Sequence, residues 1–319
     1  MFKSFLKVFS KNKKLKLNLV LLLLFFLIFP TQNAYQAWQF NNNGKPLARN
    51  IDINFGTLKD YPVNKTGEKP PNLVASSALV VDMPSKTILY SKNPDVKLMP
   101  ASTTKIMTAL VSLDTYQLDD LLEVKNTYSV GQVVGLRQGQ KMTFRNLLYA
   151  LLVDSGNDAA QILAQNYPLG ETSFIEKMNQ KAADLKLQDT HFTNVSGIDA
   201  YNHRTTAHDL ALLAAVALQN PVFSQTVATK EIQIEDSSGE NVYAFQNTNK
   251  LVGAVLGVKG VKTGWTENAG ECLVAYTERN GKEIITVVLG SNDRFGESTR
   301  LINWVYDNFE WETLNTKDQ

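Results

Sequence analysis

The sequence predicts an α+β fold: an antiparallel sheet of about five strands, drawn from both ends of the chain, flanked by a mainly helical region. Three observations carry this reading. Strand-like runs gather between residues 78 and 90 and return beyond Lys230. Helical periodicity dominates from Ser102 to about Leu218. The strongest short hairpin signal, Asn280-Gly281, lies far from the first strands, so the sheet must join distant segments. With 319 residues, 44% of them apolar, the chain can bury a sizeable core. Its single cysteine, Cys272, rules out an intrachain disulfide framework and reads as a small buried apolar residue.

The first 34 residues stand apart. They hold six of the 32 basic residues and no acid, which leaves 26 basic against 31 acidic residues, a net of −5. A mildly acidic body gives no electrostatic footprint for nucleic acid. Beyond the lysines, Leu17–Phe29 is apolar except for Asn18, and Pro30 follows. This pattern reads as an export signal, its helical length of roughly 20 Å falling short of a bilayer core of about 30 Å. Ala34 and Ala37 could end a cleaved signal, but Gln32 and Tyr35 stand where a small residue is wanted. The segment is expected either to be removed or to stay as a membrane anchor with its lysines on the cytoplasmic side. Either way the body is expected to work outside the cytoplasm.

Residues 35–72 turn polar, from Asn41-Asn42-Asn43-Gly44 to Pro70-Pro71, and read as a spacer in which Ile51–Phe55 could dock as a strand. One catalytic domain is expected over 73–312, with a tail at 313–319. In its first hairpin, Ala78–Val81 and Thr87–Tyr90 flank Asp82-Met83-Pro84-Ser85. Helices are expected from Ser102, from just after Thr143 with Leu147, Leu148 and Leu151 on one face, and from Thr206. Thr206-Ala207-His208-Asp209 there resembles a capping box with Asp in place of Glu. Glu231–Glu235 and Asn241–Phe245 flank a second turn, and Cys272–Thr277 and Glu283–Leu289 flank Asn280-Gly281. A last helix, about Glu297–Asn308, presents Leu301, Ile302, Trp304 and Val305. Trp304, Tyr306, Phe309 and Trp311 could suggest membrane contact, but they are expected to pack the last helix and tail.

Three short motifs carry chemistry. In Pro100-Ala101-Ser102-Thr103-Thr104-Lys105, residues three apart share a helix face, so the Ser102 hydroxyl and the Lys105 amine can meet. A serine becomes a nucleophile when a neighbouring base takes its proton, and lysine is such a base if burial or another cation lowers its pKa. The bland alternative is an N-cap serine with a surface lysine. In Asp154-Ser155-Gly156-Asn157-Asp158, Ser155 and Asn157 can aim a hydroxyl and an amide into one cleft. Equally, the run can be a helix C-cap at Gly156 followed by a new N-cap. In Gly260-Val261-Lys262-Thr263-Gly264-Trp265, on a strand, Lys262 and Thr263 offer a cation and a hydroxyl, and Gly264 lets a ligand approach the backbone. His191, His203 and His208 lack zinc-site spacing, so no metal or other cofactor is expected.

Each motif is weak alone. Together, and in this order, they resemble the S-x-x-K, S-D-N and K-T-G trio of penicillin-binding proteins and class A β-lactamases. With S-G-N in the middle, the chain is most similar to the serine D-alanyl-D-alanine carboxypeptidases, the low-molecular-weight penicillin-binding proteins. The likeness runs from about Ala75 to Trp304 and includes Gly135–Gly139, Leu147–Leu152, Asn179–Ala183, His191–Gly197 and Asn247–Leu251. The resemblance implies the β-lactamase/DD-peptidase-like fold and a set of roles. Ser102 would attack the carbonyl of the penultimate D-Ala of a peptidoglycan stem peptide and Lys105 would take its proton. Ser155 and Lys262 would relay a proton to the leaving D-Ala. Asn157 would hold the substrate amide and Lys105, and the backbone N–H groups of Ser102 and Trp265 would form the oxyanion hole. Thr263 matches the position that takes the terminal carboxylate. Arg294 resembles the arginine that many members place beside it, unless it is only a surface arginine opening the last helix. Trp265 departs from the His, Tyr or Phe common after K-T-G, a change expected to affect substrate packing rather than chemistry.

The implied activity is that of an exported DD-carboxypeptidase, with β-lactams as covalent inhibitors. A DD-endopeptidase acting on cross-linked peptides would use the same residues. A class A β-lactamase is disfavoured, because it needs a glutamate usually set in E-x-x-L-N and the nearest run, Glu176-Lys177-Met178-Asn179, lacks the Leu. A non-catalytic wall-binding protein is disfavoured because every reactive position is filled. The branch often continues into a small β-sandwich and an amphipathic anchor helix, and with 15 residues after Trp304 neither is expected here.

Overall fold

The computed structural model describes residues 60–313. The basic, apolar N-terminal segment and Ile51–Phe55 lie outside them. The described chain runs as strands β1 (Tyr61–Asn64), β2 (Ser77–Asp82) and β3 (Ile88–Lys92), a 3-10 turn at Ala101–Thr104 leading into helix α1 (Lys105–Leu113), then strands β4 (Leu121–Glu123) and β5 (Lys141–Thr143). Helices α2 (Phe144–Leu152), α3 (Asn157–Asn166), α4 (Gly170–Asp184), α5 (Ala207–Ala217) and α6 (Pro221–Ala228) follow. Strands β6 (Glu231–Glu235), β7 (Val242–Gln246), β8 (Val258–Thr266), β9 (Gly270–Arg279) and β10 (Lys282–Ser291), helix α7 (Arg294–Asn308) and strand β11 (Phe309–Glu312) complete it.

The main sheet has five antiparallel strands in the order β3-β2-β10-β9-β8, so the chain's first hairpin pairs with its last one through β2 and β10. Its alternation separates two cores. Leu79, Ile285, Val287 and Leu289 point into the larger core, which the helices from α1 to α6 fill. Ala78, Val80, Ile284 and Val288 point the other way, onto Leu301, Ile302 and Val305 of α7. Trp304 meets Tyr90 and Phe309 edge to face in this second core, so the C-terminal aromatics pack the last helix and tail.

The local signals behave as their chemistry dictates. Asn280 and Gly281 both take positive φ, 52° and 73°, and join Arg279 to Lys282 in a two-residue turn. Thr143 caps α2 by accepting from Asn146 N, and Thr206 caps α5 by accepting from Asp209 N. The capping box at Thr206 is only half formed. The Asp209 carboxylate instead accepts from Asp189 N and the Thr190 hydroxyl, tying down the preceding loop. The last helix starts three residues before Glu297, because Asp293 caps it by accepting from Gly296 N. Tyr61–Asn64, within the stretch read as a spacer, pair with Phe309–Glu312 in a two-stranded ribbon. Among the described residues no single helix is long and apolar enough to cross a membrane.

Candidate active site

The three motifs meet at one cleft of about 590 Å3, between the helical region and the free edge of β8. Ser102 lies inside the 3-10 turn, which has no side-chain cap, so the N-cap reading of this serine does not hold. Ala101, with φ 47°, makes the left-handed step that presents it. Three residues on, at the start of α1, Lys105 is wholly buried with its Nζ 2.8 Å from Ser102 Oγ. The same amine donates to Asn157 Oδ1 at 2.6 Å and to the Ser196 carbonyl at 2.8 Å.

All three partners are oxygens within hydrogen-bond reach of the amine. Those of Asn157 and Ser196 can only accept, whereas the Ser102 hydroxyl accepts from the amine here and can donate to it once the amine is neutral. Burial, followed by the charge of Lys262, holds the Lys105 amine well below the ordinary lysine range, against an opposing pull from Asp158. A buried lysine whose amine is held below its ordinary range, beside a hydroxyl, is suited to act as a general base.

The second motif is a turn between two helices. The helix α2 ends at Leu152 with Val153 as its C-cap, and the left-handed residue is Ser155, φ 68°, rather than Gly156, which has φ −58° and is the N-cap of α3. The C-cap glycine reading is thus corrected. Placing Gly156 there keeps its Cα clear of Val134 and Asp158, which an added Cβ would approach to 2.7 and 2.9 Å. Ser155 and Asn157 both line the cleft, and Asn157 Nδ2 donates to the Val130 carbonyl on the opposite loop.

The third motif lies on β8. Lys262, also wholly buried, donates to Ser155 Oγ at 2.9 Å and to the Thr263 carbonyl at 3.2 Å. Its amine is pushed down to about 7, by burial first and then by Arg294, while Asp154 opposes the shift. Thr263 donates to Thr248 Oγ1 at 2.9 Å, which brings a further hydroxyl into the cleft. A Cβ on Gly264 would stand 2.9 Å from Ser102 N, so the strand passes directly over the nucleophile's backbone and Gly264 is what permits it. Trp265 is 64% exposed and lines the cleft wall. Arg294 opens the last helix and also reaches the cleft, with Nη1 donating to the Gly264 carbonyl at 2.7 Å.

Several supporting residues carry no signal that the motifs alone disclose. Asp158, buried one residue after Asn157, accepts from Val134 N, Gly135 N and Leu136 N and so holds the loop that roofs the cleft. His203 accepts from Thr193 N through Nδ1 at 2.9 Å, which puts its proton on Nε2, facing Thr104 Oγ1 at 2.8 Å. Burial, then His191, pushes its pKa down to about 4, so it is a neutral strut behind the nucleophile. Gly197, φ 89°, packs so closely on Ala101 that a Cβ would fall 1.8 Å from its carbonyl oxygen. Sequence reasoning saw Asp158 only as the end of the second motif, His203 only as a histidine without zinc-site spacing, and Gly197 only as the last residue of the His191–Gly197 run. Among the described residues, no three His, Cys, Asp or Glu side chains gather where a metal ion could be held. Cys272 is fully buried in the sheet, and burial pushes its thiol up to about 11.

Two buried serine–lysine contacts beside the edge of a sheet are the arrangement a serine acyl-transfer enzyme of the penicillin-binding type requires. Residues 64–293 match the family model described as D-alanyl-D-alanine carboxypeptidase, and the chain belongs to that family of serine peptidases. It is 36% identical over 241 residues to a D-alanyl-D-alanine endopeptidase of Pseudomonas aeruginosa, covering 73% of this chain and 77% of the relative. It is 34% identical over 270 residues to a D-alanyl-D-alanine carboxypeptidase of Streptomyces sp. strain K15, covering 78% and 92%. Among solved structures, the Streptomyces K15 DD-transpeptidase aligns with a TM-score of 0.72 at 33% identity, over 75% of this chain and all of that one.

Proposed function

We propose that the protein removes the terminal D-Ala from peptidoglycan stem peptides through an acyl-enzyme on Ser102. The contact between Lys105 Nζ and Ser102 Oγ, with the amine buried and its other partners both acceptors, is the observation that carries this reading. Ser102 Oγ bonds to the carbonyl carbon of the penultimate D-Ala as Lys105 takes the hydroxyl proton. The developing oxyanion is met by the backbone N–H groups of Ser102 and Trp265, each such donor typically worth about 3–4 kcal/mol of barrier. The C–N bond then breaks, and the leaving amine receives a proton from Lys262 through Ser155 Oγ. Water then attacks the ester carbonyl and gives up a proton as the bond to Ser102 Oγ breaks and that oxygen regains one. The proton gained by Lys105 replaces the one Lys262 gave up, so both amines end as they began. Thr263 and Arg294 hold the terminal carboxylate, and Asn157 holds the substrate amide.

β-Lactams acylate the same serine, in keeping with a family that acts on D-Ala-D-Ala peptides and binds these drugs. The protein works outside the cytoplasmic membrane, secreted or held there by its N-terminal segment. The lysine-rich start and the apolar Leu17–Phe29 support that location.

The test is D-Ala release from Nα,Nε-diacetyl-Lys-D-Ala-D-Ala by the full chain, with Ser102→Ala as control. Release that vanishes in the control is the expected result. Neither release nor labelling by penicillin from a folded protein would sink the enzyme reading. The endopeptidases among the relatives support a second reading on the same residues. Cleavage of dimeric muropeptide, with penicillin labelling but no release from the tripeptide, would select it.

A further inference from the structure

The cleft continues past the reacting atoms, and its far end carries a charge that the proposed reaction does not use. Beyond Trp265, the turn from β8 to β9 places Glu267 in the cleft wall, and the loop between α4 and α5 places Asp199 beside it. Asp199 is committed to that turn. It accepts from Thr266 Oγ1 at 2.6 Å, from Asn268 Nδ2 at 2.9 Å and from Asn268 N at 3.2 Å. Glu267 is exposed, and among the described residues its carboxylate has neither a hydrogen-bond partner nor an ion pair. The cations of the cleft stand elsewhere: Lys105, Lys262 and Arg294 all lie about the reacting centre and the carboxylate end.

The direction of the bound peptide follows from the proposed roles, on which this inference rests. With the terminal carboxylate at Thr263 and the penultimate carbonyl at Trp265 N, an extended peptide runs along the free edge of β8 toward Glu267. Two residues of strand advance about 7 Å, which brings the residue preceding the two D-Ala beside the Trp265 ring and its side chain toward Glu267. A lysine-like side chain reaches about 6 Å from its Cα, at roughly 1.3 Å per bond in an extended stem. A cleft that is cationic at one end and anionic at the other matches a peptide with a terminal carboxylate and a remote amine.

We propose that Glu267 is a specificity-determining residue that favours stem peptides whose third residue carries a free, positively charged side-chain amine. The ion pair is exposed, so its effect is modest and sensitive to salt. The full chain is assayed with two substrates differing only in that charge, Nα-acetyl-Lys-D-Ala-D-Ala and its Nε-acetylated form. The wild type prefers the free amine in kcat/KM. Glu267→Gln reduces that preference about three- to fivefold, chiefly through KM, and Glu267→Lys reverses it. A preference ratio unmoved by either substitution overturns the proposal while leaving the carboxypeptidase reading intact. Absence of release from both peptides by the wild type overturns that reading and this one together, and penicillin labelling of Ser102 tells whether the nucleophile survives.

Discussion

Two serine–lysine pairs face one cleft and are built in opposite ways. Ser102 and Lys105 are three residues apart on one helical turn, whereas Ser155 and Lys262 are 107 residues apart, on a turn between helices and on an edge strand. Both lysines are buried, and burial is the first cause of the fall in both amines. Their neighbours then separate them. Arg294, permanently charged, acts on Lys262, and Lys262 in turn acts on Lys105. Lys105 also meets two obligate acceptors, while Lys262 meets a hydroxyl and the carbonyl of its own neighbour. The gradient of cations thus leaves one lysine poised as a base and the other poised to hold or release a proton near neutrality. Similar residues take different roles because their surroundings differ.

Removing each lysine in turn gives the largest expected difference. Lys105→Ala loses the base in contact with the nucleophile, and acylation should fall by about 10⁴ or more. Lys262→Ala loses a proton donor one hydroxyl away, for which a fall of about 10²–10³ is expected. Rates of penicillin labelling measure both, and circular dichroism shows whether each variant is folded. Equal losses would end the division of labour, and unfolding of Lys105→Ala would make that lysine structural.

The pH profile sharpens the same contrast. Lys105 acts when neutral, so kcat/KM rises with pH through its lowered pKa. Lys262 acts when protonated, so kcat/KM falls as pH rises through about 7, the value that holds in the free enzyme. Replacing Arg294 by Leu removes the fixed cation, and the alkaline limb should move upward even as carboxylate binding weakens. A limb that stays in place would show that burial alone sets the Lys262 proton.

The same contrast governs what the sequence discloses. The Ser102–Lys105 contact was legible because helix geometry fixes it within four residues, and the Asn280-Gly281 turn because only a few residues tolerate two positive φ values in succession. The meeting of Ser155 with Lys262 required the resemblance, since no local rule joins a turn to a strand so distant. The C-cap alternative at Gly156 rested on glycine being the usual left-handed residue, yet Ser155 takes that conformation and Gly156 is required for the space a Cβ would fill. The hold of Asp158 on the 134–136 backbone was hidden for a related reason: a carboxylate in a helix's first turn is ordinary, and only the fold shows what it gathers.

The ribbon of β1 and β11 gives the smallest expected effect and the clearest separation of stability from chemistry. Its first strand, Tyr61-Pro62-Val63-Asn64, falls in the stretch read as spacer for its polar, turn-rich composition, and its partner lies at the other end of the chain. The ribbon is tied to the body by Lys282 with Asp60 at 2.5 Å and by Trp311 Nε1 donating to Asp82 Oδ1 at 2.6 Å. None of its residues lines the catalytic cleft. A chain beginning at Asn72 loses β1 but keeps Ala75, whose N–H donates to the buried Glu297 at 3.2 Å. Since a two-stranded ribbon adds little by itself, its loss should cost about 1–2 kcal/mol in urea unfolding and leave kcat/KM for D-Ala release within about twofold. A larger loss of activity than of stability would mean that the ribbon positions the cleft through β2 and β10, and that the two serine–lysine pairs depend on a strand far from both.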